Sequence, residues 1–175
     1  MSNLIAPTSH FHAAWLEAHR EWGSGQHEDG FGLAETDEIE TAQGFEAWIG
    51  RLINQSDLTI PVLAGQAHCT YRWIVDTTYL LGGIALRHEF TAFVARMGHI
   101  GYGVRPSARD RGVATWALGR MLDEARTIGL ERVLIVCERN NIASSSAIER
   151  NGGVLEDTTV DRAQPRRYWI DLRAY

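Results

Sequence analysis

The sequence predicts an α/β (α+β) fold in which a mixed, mostly antiparallel central sheet is flanked by helices. Three β-rich runs, at residues 69–75, 79–87 and 98–104, follow one another, and a short polar triplet between the first two indicates an antiparallel hairpin within a meander. An apolar stripe with helical spacing follows at residues 114–128. The unbroken apolar run at residues 133–137 is typical of a strand covered on both faces, in the middle of a mixed sheet.

Two amphipathic helices are predicted ahead of the sheet. In the first, apolar side chains recur at three- and four-residue steps across residues 11–22, and Ser9 is placed to cap the helix. In the second, Asp37 and Glu40 resemble a capping box at the start of an apolar stripe over residues 39–52. The two helices therefore each offer one apolar face to the sheet.

The C-terminal third predicts further helix and strand elements. Gly129 closes the helix over residues 114–128, and a short helix is expected at residues 143–150, before a pair of glycines. Residues 154–160 and 167–172 are expected to form a final pair of strands.

Length and composition indicate one domain, residues 1–175, with an ordinary globular composition of 45% hydrophobic and 22% charged residues. No apolar run approaches the ~18 residues of a membrane helix, and no secretory signal is visible, so a cytoplasmic location is expected. A net charge of -5 disfavours nonspecific nucleic-acid binding. Cys69 and Cys137 lie in apolar or strand-like runs and are predicted to be buried thiols rather than a disulfide or a metal pair.

A candidate anion site lies in the segment over residues 98–115. A strand-like run leads into a loop with Arg109, Arg111 and Gly112, which opens directly into a helical pattern. The first amide groups of a helix lack partners within the helix and carry partial positive charge, so such a turn favours phosphate. The pattern G-x-x-x-x-G-K-[ST] is missing, which disfavours a P-loop nucleotide enzyme.

The same residues resemble the GNAT superfamily of acyl-CoA-dependent N-acyltransferases. The hexapeptide RDRGVA at residues 109–114 matches the family signature R/Q-x-x-G-x-G/A, VRP at residues 104–106 lies where the family has V-x-P, and NIAS at residues 141–144 matches N-x-x-S. The similarity covers roughly residues 70–157. The stretches GHIGYGVRPS, NIASSSAIERNGGVLE and RRYWIDL resemble a bacterial group of predicted acetyltransferases, for which no substrate follows.

The resemblance implies acetyl-CoA as the donor, bound where strand 4 splays from strand 5. The main chain near Tyr102 would pair with the pantetheine arm, and an amide there would polarise the thioester carbonyl. For the arginine side chains a solvated loop position remains the alternative, and for Asn141 and Ser144 the alternative is capping of the next helix. The cofactor-binding residues implied in this way are Val104, Arg109, Asp110, Arg111, Gly112, Val113, Ala114, Thr115, Asn141 and Ser144.

The catalytic residues are less determined by the sequence. Ile148 occupies the position where many members of the family carry a tyrosine as general acid, and Tyr102 and Tyr168 are the possible substitutes. His99, at the start of the fourth strand, is one candidate base, because its ordinary pKa near ~6.5 suits taking a proton from an ammonium. Glu89, at the end of the preceding strand, is the other. For either residue, a hydrogen bond to the backbone at a strand end is the alternative.

The acceptor is expected to be a primary amine of an unidentified small molecule or peptide, which attacks the thioester directly. The glycine-rich loop at residues 23–32 and the helix that follows carry acidic residues that could attract a cationic acceptor, although a solvated helix start also explains the later ones. These residues are Glu28, Asp29, Glu35, Asp37, Glu38 and Glu40. The alternative function is an acyl-CoA-binding module with weak or no turnover. No metal site is indicated, and a homodimer is left open.

Overall fold

The computed structural model describes residues 2–23, 29–156 and 164–173, which form two antiparallel sheets. The first sheet has the order β1-β2-β3-β4 and consists of β1 (Ser2–Ile5), β2 (Cys69–Asp76), β3 (Tyr79–Arg87) and β4 (Ile100–Val104). The second has the order β5-β7-β6 and consists of β5 (Arg132–Cys137), β6 (Val154–Leu155) and β7 (Arg166–Asp171). The strand ladders of both sheets are antiparallel.

In the described part of the chain, five helices accompany the sheets: α1 (His12–Trp22), α2 (Ala42–Ser56), α3 (Ala92–Met97), α4 (Val113–Thr127) and α5 (Ile142–Arg150). Three 3-10 turns occupy Ser9–Phe11, Asp29–Phe31 and Pro106–Ala108. Within the described part of the chain, no helix is both long and apolar enough to cross a membrane.

The helices bury their apolar faces in two separate cores. α1 and α2 pack against the first sheet around Trp15, Trp48 and Trp73, whose indole rings are almost completely buried. α4 and α5 form the other core with β3, β4, β5 and β7, and the predicted stripe of α4 is buried there from Ala117 to Ala125. The sheets thus lie between two helical layers, and the predicted fold class is confirmed.

The predicted caps of the first two helices are wrong by a few residues. Thr8, rather than Ser9, accepts a hydrogen bond from a backbone N–H of the turn that precedes α1. α2 starts after Thr41, whose side chain accepts from the Gly44 N–H at 3.1 Å. Asp37 instead forms an ion pair with Arg51. Several neighbouring residues could cap each helix, and the packing of the chain decides between them.

The strands and one helix agree with the prediction in part. The hairpin is confirmed, and Cys69 and Cys137 are buried thiols as expected. β5 is buried as predicted, yet it is the outermost strand of its antiparallel sheet rather than a middle strand of a mixed one. The sequence patterns also missed β1 and α3. Of the predicted strand at residues 154–160, the structure shows β6, and residues 157–160 lie outside the described residues, as do residues 24–28 of the predicted loop.

β4 and β5 approach each other at one point only. A single bridge joins Gly98 to Ile135, next to a hydrogen bond of 2.6 Å from the His99 N–H to the Leu134 carbonyl. Gly98 has φ +88°, and a Cβ there would lie 3.0 Å from the Leu134 carbonyl oxygen, so the close approach requires glycine. Over the described residues no ladder continues from this bridge, and the two strands separate.

Candidate active site

The separation of β4 and β5 opens into a cleft of about 660 Å³. The end of β4 forms one wall, the loop before α4 and the first turn of that helix form the second, and α5 forms the third. Of the residues predicted to bind the cofactor, those that line the cleft are Val104, Arg109, Asp110, Gly112, Val113, Ala114, Thr115, Asn141 and Ser144. Arg111 is not among the lining residues.

The N-terminus of α4 presents free amide groups to the cleft. Trp116 is the first residue of this helix whose N–H is bonded back along the chain, to the Gly112 carbonyl at 3.0 Å. The amides of the three preceding residues, Val113 to Thr115, therefore have no helical partner. Gly112 has φ +75°, and a Cβ there would meet no atom within 4 Å. The helix dipole and these amides together make an anion site at the cleft wall.

Two arginines add positive charge to the same cleft. Arg109 Nε donates to the Val104 carbonyl at 2.9 Å and thereby braces the loop against the end of β4. Arg150 lines the opposite wall from the last turn of α5 and was not predicted to lie in the site. Its position was available from the sequence, since Ala143, Ala147 and Arg150 recur at helical spacing and share one face.

Tyr102 reaches across the gap from β4 to α5. Its hydroxyl lies 2.7 Å from the Ser144 hydroxyl, and both side chains line the cleft. Asn141 accepts a hydrogen bond from the Ser144 N–H at 3.0 Å, so its side chain caps α5 as the alternative in the sequence analysis had it. Ser144 is thus held at its backbone by the cap and at its side chain by Tyr102.

The geometry of His99 does not fit the predicted general base. The side chain is buried, does not line the cleft, and accepts a hydrogen bond from the Leu134 N–H at Nδ1, 2.9 Å away. The other ring nitrogen of a neutral imidazole carries the proton, so no lone pair remains to accept another. Burial, together with the nearby Arg87 and Arg132, lowers the pKa of His99 to about 4. His99 instead fastens β4 to β5 at the base of the cleft.

Glu89 does not fit the predicted base either. Its carboxylate accepts hydrogen bonds from the backbone N–H and from the ring Nδ1 of His68, at the start of β2. It lies outside the cleft lining, at the end of β3 that pairs with the start of β4, whereas the cleft opens at the other end of β4. Glu89 therefore has the strand-end role that the sequence analysis named as its alternative.

Three further residues singled out in the sequence have structural roles away from the cleft. Ile148 is fully buried between α4 and α5. Tyr168 is buried, and its hydroxyl donates to Glu149 at 2.9 Å, so it does not reach the cleft. Glu38 accepts from the backbone and side chain of Thr41 at the start of α2. Glu28 lies outside the described residues, and among the described ones no group of three or more side chains could hold a metal ion.

An open strand edge next to a helix N-terminus, at the point where a sheet divides, is the arrangement that the resemblance to acyl-CoA-dependent transferases implied. Residues 6–154 match the family model described as an acetyltransferase (GNAT) domain. The chain therefore belongs to the GNAT acetyltransferase family, as the sequence resemblance implied, and is an acyl-CoA-dependent N-acetyltransferase by class. No curated protein matches the chain.

Solved structures share this fold at low sequence identity. The ribosomal L7/L12 alpha-N-protein acetyltransferase RimL in complex with coenzyme A has a TM-score of 0.70 and 15% identity, over 99% of this chain and 96% of that one. The microcin C7 self-immunity acetyltransferase MccE in complex with acetyl-CoA and AMP has a TM-score of 0.66 and 14% identity, over 97% and 92%. The spermidine/spermine N-acetyltransferase SpeG from Vibrio cholerae has 0.62 and 16%, over 100% and 97%.

Proposed function

We propose that the protein transfers the acetyl group of acetyl-CoA to a primary amine of a small molecule or peptide, which attacks the thioester directly. The observation that carries the proposal is the cleft itself, which joins the free amides at the start of α4 to the open edge of β4. Acetyl-CoA fits such a cleft, because its pyrophosphate is an anion for the helix amides and its pantetheine arm contains amides that can pair with a strand edge.

The donor's pyrophosphate is held by the amides of Val113, Ala114 and Thr115, with Gly112 leaving space for close approach. Arg109 and Arg150 contribute charge from two sides of the cleft. The pantetheine arm lies along the edge of β4 that faces β5, where an amide of the strand polarises the thioester carbonyl. These roles follow from the position of each residue around the cleft and from the family resemblance.

Tyr102 is the general acid of the proposed reaction. Its hydroxyl is in the cleft, paired with the Ser144 hydroxyl at 2.7 Å. Tyr102 gives its proton to the departing thiolate, and the resulting tyrosinate takes up, through Ser144, the proton that the attacking nitrogen loses when the amide forms. A positioned acid contributes ~10²–10⁴ in rate. Holding the amine next to the thioester contributes ~7–11 kcal/mol, the larger share. The amine attacks in its neutral form. The rate of acetyl transfer therefore rises with pH as the ammonium loses its proton.

Two measurements test this proposal. Calorimetric titration with coenzyme A measures donor binding without any acceptor, and thiol release from acetyl-CoA in the presence of a panel of amines measures transfer. We expect binding of coenzyme A and release that depends on at least one amine. Absence of coenzyme A binding would contradict the proposal.

The alternative function is a binding module for acyl-CoA with little or no turnover. The observation that favours it is Ile148, which is buried in the core at the position where the family resemblance leads one to expect a tyrosine acid. Firm binding of acetyl-CoA, with no thiol release for any amine in the panel, is the result that would support this alternative.

A further inference from the structure

A buried arginine, paired with two partly exposed glutamates, ties the loop of the cleft to the first helix. Arg105 follows β4 directly, and its side chain is only 8% exposed. Its Nε donates to the Glu21 carboxylate at 2.6 Å, its Nη2 to Glu17 at 2.9 Å, and its Nη1 to the Leu80 carbonyl at 3.3 Å. The guanidinium thus joins α1, β3 and the end of β4 at one point.

Glu21 holds a second residue of the same loop. Its carboxylate accepts hydrogen bonds from both the backbone N–H and the hydroxyl of Ser107, in the Pro106–Ala108 turn. One side chain therefore fixes two positions of the chain between β4 and the residues that begin the anion site. The loop leaves this turn at Arg109, which is itself bonded back to Val104.

The placement of Glu21 is unfavourable for α1 alone. A carboxylate in the last turn of a helix lies at the negative end of the helix dipole. Glu17 and Glu21 are also four residues apart, where like charges repel each other on a helix surface. The contacts with Arg105 and Ser107 offset both effects, which indicates that the loop, rather than the helix, requires this carboxylate.

We propose that Glu21 and Arg105 are positioning residues for the donor. By fixing the turn at Pro106–Ala108, they hold the loop so that the amides of Val113 to Thr115 face the cleft. This inference rests on the proposed function, because it assigns the pyrophosphate of acetyl-CoA to those amides. Affinity depends on such preorganisation, since a loose loop must be ordered when the ligand binds.

Two parts of the donor are bound by different elements of the protein. The pyrophosphate depends on the loop, whereas the pantetheine arm lies against β4, which is held by its ladder with β3. Loss of Glu21 therefore weakens binding of the donor only at its pyrophosphate. S-acetylpantetheine has the arm and the thioester without the pyrophosphate, and it distinguishes a positioning role from a general loss of stability.

The test compares Glu21→Ala with the wild type and with Glu124→Ala. The control breaks another ion pair between a helix and a strand, Arg72 with Glu124, on α4 beyond the cleft. We expect Glu21→Ala to raise the Kd for coenzyme A at least tenfold. We also expect kcat/KM for acetyl-CoA to fall at least tenfold while that for S-acetylpantetheine changes less than twofold. Glu124→Ala should leave the Kd and both values of kcat/KM within twofold.

Glu21→Gln keeps the acceptor for Ser107 without the charge, and it replaces Glu21→Ala if that variant does not fold. A threefold or larger rise in the Kd for coenzyme A is then the expected result. An unchanged Kd in a folded Glu21 variant, or an equal loss for both donors, would overturn this inference alone. A wild-type protein that does not bind coenzyme A would overturn the proposed function, and this inference with it.

Discussion

The hydroxyl groups of Tyr102 and Ser144 lie 2.7 Å apart across the gap between β4 and α5. Tyr102→Phe removes only the proton donor, so we expect kcat to fall roughly 10- to 100-fold, within the range of a positioned acid. The Kd for coenzyme A should stay within about twofold. Ser144→Ala should lower kcat less, because Tyr102 remains. Thiol-release kinetics measure both variants, and an unchanged kcat for Tyr102→Phe would exclude Tyr102 as the acid.

Gly112→Ala should weaken donor binding. A Cβ at φ +75° costs about 1 kcal/mol of strain and projects into the space assigned to the pyrophosphate. Gly129→Ala is a matched control, since Gly129 has φ +82° and a Cβ there would also meet no atom within 4 Å, away from the cleft. Both variants should lose similar thermal stability, whereas calorimetry should detect weaker coenzyme A binding only for Gly112→Ala. Equal binding by the two variants would contradict the assignment.

Ile148→Tyr should not create a better enzyme. Ile148 is fully buried, and its side chain lies so close to Gly153 that a Cβ on the glycine would be 2.4 Å from it. A tyrosine at this site overfills the core, which typically costs about 1–3 kcal/mol. We expect a lower Tm and no gain in kcat. A stable variant with faster turnover would indicate that the tyrosine reaches the cleft.

His99 should make the protein less stable in acid. Its pKa is about 4 in the native state, against 6.5 for an ordinary histidine, so the unfolded chain takes up the proton first as the pH falls. The contribution is complete above pH 6.5 and is lost between pH 6.5 and 4. Denaturant titrations across this range should give a steeper loss for the wild type than for His99→Gln. The pH profile of kcat should be the same for both proteins, and a change in it would restore His99 as a candidate base.

The contribution of His68 to stability should depend on pH in the opposite direction to that of His99. Its two ring nitrogens contact a Glu89 carboxylate oxygen and the Ile60 carbonyl, which both accept, so the ring is an imidazolium. The hydrogen bond that the ring donates to Glu89 raises the pKa of His68 above 6.5. This contribution to stability is present below pH 6.5 and is lost as the pH rises through the raised pKa. Protection of the amides at residues 57–67 against hydrogen exchange, relative to their intrinsic exchange rate, should fall as the pH rises through the pKa of His68. Protection that stays constant, or that equals that of His68→Gln at every pH, would contradict the contact.

The parts of the fold that the sequence predicted are those set by local chemistry. The stripe of α4 and the turn at Gly112 follow from spacing and from the conformational freedom of glycine, and both were located correctly. α3 was missed because six residues show too little periodicity. β1 was missed because its register partners in β2, such as Trp73 opposite Ile5, are far away in the sequence.

Among the site residues, too, those set by local sequence were predicted and those set by distant contacts were not. The part of the cleft lining that was predicted is mainly one contiguous loop and helix start, whereas most of the lining residues on α5 were not predicted. The role of His99 was not predictable, because the Leu134 N–H that occupies its lone pair is 35 residues away. Arg105 could not be assigned for the same reason, with its partner Glu21 separated by 84 positions. Contacts between distant residues decide which polar side chains are free to react.

The gap between β4 and β5 leaves one edge of β4 without a partner strand in the part of the chain that the structure describes, so that a bound donor can complete the pairing that folding leaves open. Beyond the Gly98–Ile135 bridge, β4 has a ladder with β3 and, over the described residues, none with β5. The amides of a pantetheine arm can occupy that edge as an added strand. Acetyl-CoA would then link the two sheets, and its binding energy would add to the stability of the whole chain in proportion to the logarithm of its concentration. The cellular lifetime of the protein would follow the supply of its substrate.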